Sequence, residues 1–168
     1  MFVIDNQIDK EIIEEYYNRI SRHYDTMVSN GFPPMEWYPT RNIPLLNNDK
    51  LVRKVKKIIE SNLRVKLTLH SAELQTWPID SFSPAHTHER RDKEEDFNSL
   101  LYLNDDFEGG IFYADTGINI QPVTGRLTFF DGKVIPHGVS PVKAKHRHTA
   151  IFWWKETKMV SHDTVDNP

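Results

Sequence analysis

The chain has 168 residues, 38% of them hydrophobic, with 4 Trp, 6 Tyr and 9 Phe, which suffices for one buried core and predicts a single domain over 1–168. Its net charge of −3 announces no nucleic-acid partner, and the lack of cysteine excludes disulfides, thiolate catalysis and Cys-ligated zinc or iron–sulfur centres. No apolar run approaches the ~20 residues of a membrane span, and MFVIDNQIDKE lacks the features of a signal peptide, so a soluble, cytoplasmic protein is expected.

Residues 7–30 predict a helix, because Ile8, Ile12, Tyr16 and Ile20 recur every four residues and Ile13 and Tyr17 widen the stripe. Asn6 is the expected cap, Asp9 falls in the first turn, and Gly31, Pro33 and Pro34 stop the helix. A second helix is predicted over 48–62, capped by Asn48, with Val52, Val55, Ile59 and Leu63 as its stripe. Lys50, Arg53, Lys54, Lys56 and Lys57 lie mostly off that stripe and read as a solvated face rather than a phosphate contact.

From residue 64 the period becomes two: Val65, Leu67 and Leu69 alternate with Arg64, Lys66, Thr68 and His70. The parity then slips to Ala72, Leu74 and Thr76, which predicts a bulge or bend. Short strands follow at 97–103, 111–114, 118–123, 126–130, 134–140 and 147–155, separated by turn signals such as Asn104-Asp105-Asp106, Gly109-Gly110 and Asp131-Gly132. Such spacing indicates a β-sandwich or barrel at 64–156. A helical support at 1–63 would pack on one sheet, and a polar tail runs over 157–168.

Of eight histidines, His86 and His88 are separated by two residues and share a face if extended, which makes a ready bidentate metal site. The competing reading is a pair of surface histidines leading into the charged run HERRDKEED. His137, in Pro136-His137-Gly138-Val139, supplies a third ligand from a distant strand. Three facial ligands leave about three octahedral positions open, which suits iron(II) better than zinc. Arg147 follows ten residues later at the head of Ala150-Ile151-Phe152-Trp153-Trp154. If it points inward it needs an anion, and its planar fork suits a carboxylate. If it points outward it joins Lys145 and His146 in solvent.

Four blocks in order now resemble the iron(II)- and 2-oxoglutarate-dependent dioxygenases, in their prolyl-4-hydroxylase-like branch. They are Leu74-Gln75-Thr76-Trp77 with Pro84-Ala85-His86-Thr87-His88, then Ser99-Leu100-Leu101-Tyr102-Leu103-Asn104 with Glu108-Gly109-Gly110. Gly125-Arg126-Leu127-Thr128-Phe129-Phe130 is the third, and Pro136-His137-Gly138-Val139 through Arg147 to Trp154 is the fourth. The resemblance implies a mainly β, α+β fold. Its core would be a double-stranded β-helix (jelly roll, cupin-like) with two N-terminal helices packed on one sheet. It implies that His86 and His137 hold iron and that Arg147 takes the far carboxylate of 2-oxoglutarate. Tyr102 would reach the same carboxylate. Trp77 stands where other members place a tyrosine; with only an N–H donor, it serves as wall or as cosubstrate contact. Gly109-Gly110 would be structural.

His88 stands where the family places aspartate. Three accounts stay open: His88 is the ligand, Glu89 or Asp92 replaces it, or the position is filled by water or an anion. Halogenating relatives need a small residue there, which histidine is not. The implied activity uses dioxygen to hydroxylate an unactivated C–H bond, with release of succinate and CO2, and admits ascorbate as an activator. The substrate would be a prolyl or other amino-acid, peptide or small-molecule group. The strands around Leu101, Phe129, Ile151 and Trp153 would keep the site dry, with alternation leaving open which of the four face inward; the loop 89–96 would act as a lid or a specificity loop, and residues 31–38 would pack beneath a helix or rim the mouth. Two rivals remain: a non-catalytic cupin-like binding module, and a three-histidine iron dioxygenase that does not use 2-oxoglutarate. The sequence leaves oligomeric state open.

Overall fold

A computed structural model describes residues 1–31, 40–88 and 96–157, apart from the side chains of Thr40 and Arg41. The elements run β1 (Phe2–Ile4), α1 (Lys10–Ser29), β2 (Thr40–Pro44), α2 (Lys50–Leu63), β3 (Leu67–Trp77), β4 (Ser83–His86) and β5 (Phe97–Tyr102). They continue with β6 (Glu108–Gly109), β7 (Phe112–Ala114), β8 (Asn119–Ile120), β9 (Leu127–Phe130), β10 (His137–Val139), β11 (Val142–Lys143) and β12 (Arg147–Glu156). The fold is therefore mainly β with two helices.

Both helices start later than their stripes suggest. Asn6 has φ 58, a left-handed conformation incompatible with the extended backbone of an N-cap. Asp9 is extended at φ −61, ψ 138, and its carbonyl accepts Ile12 N–H at 3.0 Å, so α1 begins there and Ile8 precedes it. Asp49, rather than Asn48, caps α2: its Oδ1 accepts Leu51 N–H at 2.8 Å and the Tyr16 hydroxyl at 2.6 Å. One cap thus ties the two helices together. The basic face of α2 is paired and solvated, with Lys50 on Glu15, Lys54 on Asp9 at 3.0 Å and Lys56 on Glu60 at 3.9 Å.

A six-stranded sheet has the order β1-β9-β5-β12-β3-β2, a four-stranded sheet β4-β10-β7-β8, and β11 pairs with β6. The predicted parity slip in β3 is a bulge at His70. Trp153 pairs with Ser71 but Trp154 pairs with Leu69, so β3 carries one extra residue. The first 63 residues also contribute strands: β1 pairs with β9 and β2 with β3. Arg126 closes the β1 attachment by donating from Nε and Nη2 to the two carboxylate oxygens of Asp5, each at 2.9 Å.

Strand alternation sorts the apolar residues into two clusters. Ile13, Ile20, Leu51, Val55 and Ile59 of the helices meet Leu74, Leu101, Phe129, Ala150, Phe152 and Trp154 of the six-stranded sheet. Each fully buried side chain of this kind contributes about 2 kcal/mol. The neighbouring residues Leu100, Tyr102 and Phe130 face the other way and join Phe112 and Ile120 of the four-stranded sheet. Among the described residues no helix is long and apolar enough to cross a membrane.

Candidate active site

The two sheets enclose a cavity of about 310 Å³. His86 at the end of β4, His88 just beyond it and His137 at the start of β10 all line it. Their candidate ligand nitrogens lie within 4.8 Å of one another. Ring centroids are separated by 4.7 Å for His86–His137, 4.8 Å for His88–His137 and 5.5 Å for His86–His88. Antiparallel pairing explains the first contact, since His137 is the register partner of His86. Gly138 permits it: a Cβ there would lie 2.5 Å from both the Ser83 carbonyl oxygen and the Tyr113 hydroxyl.

The outer hydrogen bonds suit metal binding. His137 Nδ1 is 2.8 Å from the Ile135 carbonyl and His86 Nδ1 is 3.0 Å from the Pro84 carbonyl. In both, Nδ1–H donates to a backbone oxygen, which leaves Nε2 as the lone-pair donor toward the cavity. Burial pushes His137 down to about 4; the Ile135 carbonyl opposes this, and His88 and His86 reinforce it. The ring is therefore neutral at pH 7, the form that ligates. His88 is set by its backbone N–H, which donates to the Gly132 carbonyl at 2.9 Å. Its ring packs over Gly132, where a Cβ would lie 2.8 Å from His88 Nδ1 and 2.1 Å from Asn98 Oδ1.

Arg147 lies inside, wholly buried at 0% exposure. Its guanidinium sits between two aromatic rings, 5.2 Å from the Trp77 centroid and 5.2 Å from that of Tyr102. Among the described residues none of its three nitrogens has a hydrogen-bond partner, and the Tyr102 and Thr149 hydroxyls are also buried without one. Burial pulls the guanidinium below its ordinary range, and the Tyr102 oxygen opposes that pull. A buried cation with unmade hydrogen bonds is costly, and a carboxylate meets both needs. The pocket therefore fits one end of a dicarboxylic acid. Trp77 Nε1 donates to Gln75 Oε1 at 3.3 Å, so the indole offers a face to Arg147 while its donor is occupied. Gly110 has φ 58, and a Cβ there would lie 2.9 Å from Arg147 Cδ, so the Gly109-Gly110 turn also seats the arginine stem.

Of the four strand residues whose facing the sequence left open, Ile151 and Trp153 line the cavity with Leu100, Phe130 and Phe112, whereas Leu101 and Phe129 face the helices. Strands buried on both faces hide this parity. Glu89, Asp92, most of the proposed lid loop and residues 32–38 lie outside the described residues. Sequence reasoning also missed wall residues Glu73, Gln75 and Asn42. Counting by twos from Trp77 along β3 would have found the first two.

The cavity thus brings together a histidine cluster that could hold a metal ion and a buried arginine. The chain belongs to the 2OG-Fe(II) oxygenase superfamily, whose family model matches residues 66–155. Prolyl 3-hydroxylase 2 of Rattus norvegicus is 38% identical over 83 residues, covering 42% of this chain and 12% of that protein. Prolyl 3-hydroxylase 1 of Gallus gallus is 41% identical over 66 residues, covering 35% and 9%. The chain thus matches only about a tenth of the length of these curated relatives.

Solved structures share the fold at lower identity. A viral collagen prolyl hydroxylase from Paramecium Bursaria Chlorella virus-1, in complex with 2OG, superposes with TM-score 0.71 at 15% identity, covering 93% of this chain and 96% of that one. A Pseudomonas putida prolyl-4-hydroxylase gives 0.70 at 17%, covering 94% and 92%. A Trichoplax adhaerens prolyl hydroxylase, in complex with a hypoxia inducible factor peptide fragment, gives 0.70 at 15%, covering 92% and 83%.

Proposed function

We propose that the protein is an iron(II)- and 2-oxoglutarate-dependent dioxygenase that hydroxylates an unactivated C–H bond, and that the two facing sheets are a double-stranded β-helix. His86, His88 and His137 hold the iron, all three as neutral imidazoles. Arg147 takes the far carboxylate of 2-oxoglutarate, assisted by the Tyr102 hydroxyl, while Trp77 walls the guanidinium. The observation that carries this reading is Arg147, a buried cation without a hydrogen-bond partner among the described residues, in the cavity onto which the three histidines converge.

When bound, iron and 2-oxoglutarate supply the oxidising power, consuming dioxygen and releasing succinate and CO2. The chain supplies placement. His86, His88 and His137 would hold the ion at one wall of the cavity, within reach of the space in front of Arg147. Arg147 fixes the far end of the cosubstrate, and Leu100, Phe112, Phe130 and Ile151 keep bulk water away. The prolyl hydroxylase relatives and neighbours support a prolyl or peptidyl substrate. A three-histidine dioxygenase that does not use 2-oxoglutarate would leave Arg147, Tyr102 and Thr149 buried with nothing to bind.

The test is oxygen-dependent conversion of 2-oxoglutarate to succinate by iron-loaded protein, followed by mass spectrometry for a 16 Da gain on peptide and amino-acid substrates. Absence of turnover across the panel, together with absence of 2-oxoglutarate binding, defeats the proposal.

A further inference from the structure

The cavity has two charged ends, and Arg147 accounts for one. Among the described lining residues the one carboxylate is Glu73. On β3, Trp77 pairs with Arg147 and Glu73 pairs with Ile151, so Glu73 stands four residues along the same wall. At ~3.3 Å per residue that is about 13 Å from the anion receptor. The side chain is half-buried. Its Oε1 accepts two amide donors, Asn42 Nδ2 at 2.9 Å and Gln75 Nε2 at 2.6 Å. Gln75 in turn accepts the Trp77 indole N–H at 3.3 Å. Two side chains therefore hold the carboxylate in place, one of them braced by Trp77, yet among the described residues no cation pairs with it and Oε2 has no partner. Trp153, on the same face of the neighbouring strand and diagonal to Glu73, also lines the cavity. An indole face and a carboxylate at one end of the cavity favour a cation there.

We propose that Glu73, backed by Trp153, determines specificity by binding an ammonium or guanidinium group of the primary substrate. The inference rests on the function proposed above, in which 2-oxoglutarate fills the Arg147 end and leaves the Glu73 end to the substrate. The positive charge belongs either to a basic side chain near the oxidised residue of a peptide or to a free basic amino acid.

The experiment measures binding by calorimetry to protein loaded with Mn(II), which is inert to turnover, and 2-oxoglutarate. One arm compares acetyl-Lys-Pro-Gly-amide with its norleucine counterpart, and the other compares free L-lysine with L-norleucine. The cationic member should bind about ten-fold more tightly in at least one arm, as expected for a charge-assisted hydrogen bond. Glu73→Gln retains an oxygen for Asn42 and Gln75 and should bring the ratio to about one. Glu73→Lys should reverse it, favouring a Glu-bearing peptide. Equal or undetectable affinity for both members in both arms, or a ratio that survives Glu73→Gln, overturns the inference. Failure of 2-oxoglutarate to bind the Mn(II)-loaded wild type overturns the proposed function instead.

Discussion

His137 and His86 are direct register partners across the β4–β10 pair, with ring centroids 4.7 Å apart. Two candidate ligands on paired strands are placed by backbone hydrogen bonds, so their spacing is set before any metal arrives. His88 lies beyond the end of β4, where its backbone N–H bonds to the Gly132 carbonyl. His86→Ala and His137→Ala should each weaken Mn(II) binding by more than about 100-fold, beyond the loss typical of an outer-shell partner. His88→Asp should keep or tighten it, because a carboxylate restores one negative charge. Calorimetric titration of the three variants checks this. Wild-type affinity in His88→Ala would remove His88 from the ligand set.

The buried guanidinium of Arg147 opposes stability, and in the proposed function it serves binding. Replacing an unpaired buried charge with an apolar side chain of similar length removes its desolvation cost. Arg147→Met should therefore leave the ligand-free protein as stable as the wild type or about 1–3 kcal/mol more stable. It should also abolish the rise in Tm that 2-oxoglutarate produces with Mn(II). Arg147→Lys should recover only part of that rise, since an ammonium cannot make the paired bonds of the planar fork. Thermal melts with and without 2-oxoglutarate measure both effects. A destabilised Arg147→Met would mean that the cation has an internal role.

The sequence exposed what is local and periodic. The helix stripes, the bulge near His70 and the separation of His86 from His88 follow from spacings within one element. It concealed what depends on a distant partner. β1 is three residues long, too short to display alternation, and its partner β9 begins at Leu127. β2, TRNIP, carries a proline and polar residues and is recognisable only as an edge strand beside β3. Asn6 and Asn48 are as good caps by type as Asp9 and Asp49, and backbone angles decide between them. Glu73 and Gln75 read as the polar face of a half-exposed strand, whereas that face lines the cavity.

Gly138 is more than a turn residue. An added Cβ would meet the Ser83 backbone oxygen at 2.5 Å, and backbone cannot step aside as a side chain can. Gly138→Ala should destabilise the protein by about 1–3 kcal/mol, as overpacking does. It should also weaken metal binding, because relief requires β10 to separate from β4 and His137 from His86. Denaturant melts and Mn(II) titration together report this. Loss of stability with unchanged metal affinity would show that the strands accommodate the methyl without moving the ligands.

His148 should make the protein acid-sensitive independently of the metal. It is 4% exposed, its Nδ1 is 3.1 Å from Thr76 Oγ1, and its ring packs edge-on against Tyr17 at 5.3 Å. Burial, chiefly, pushes it down to about 4; nearby His146 adds to this and Asp106 opposes it. The unfolded histidine titrates near 6.5. Between these values the unfolded chain binds more protons, so unfolding free energy falls as pH drops from about 6.5 toward 4 and is flat above. From pH 7 to 5 this one residue should cost about 2 kcal/mol. His137 shows the same depression in the metal-free protein, so it should add a comparable loss over the same window, and a bound metal, which also holds the ring unprotonated, should not remove that loss. Urea denaturation at pH 7 and 5, repeated with His148→Gln, separates the contributions. A wild-type slope retained in His148→Gln would assign the acid sensitivity elsewhere.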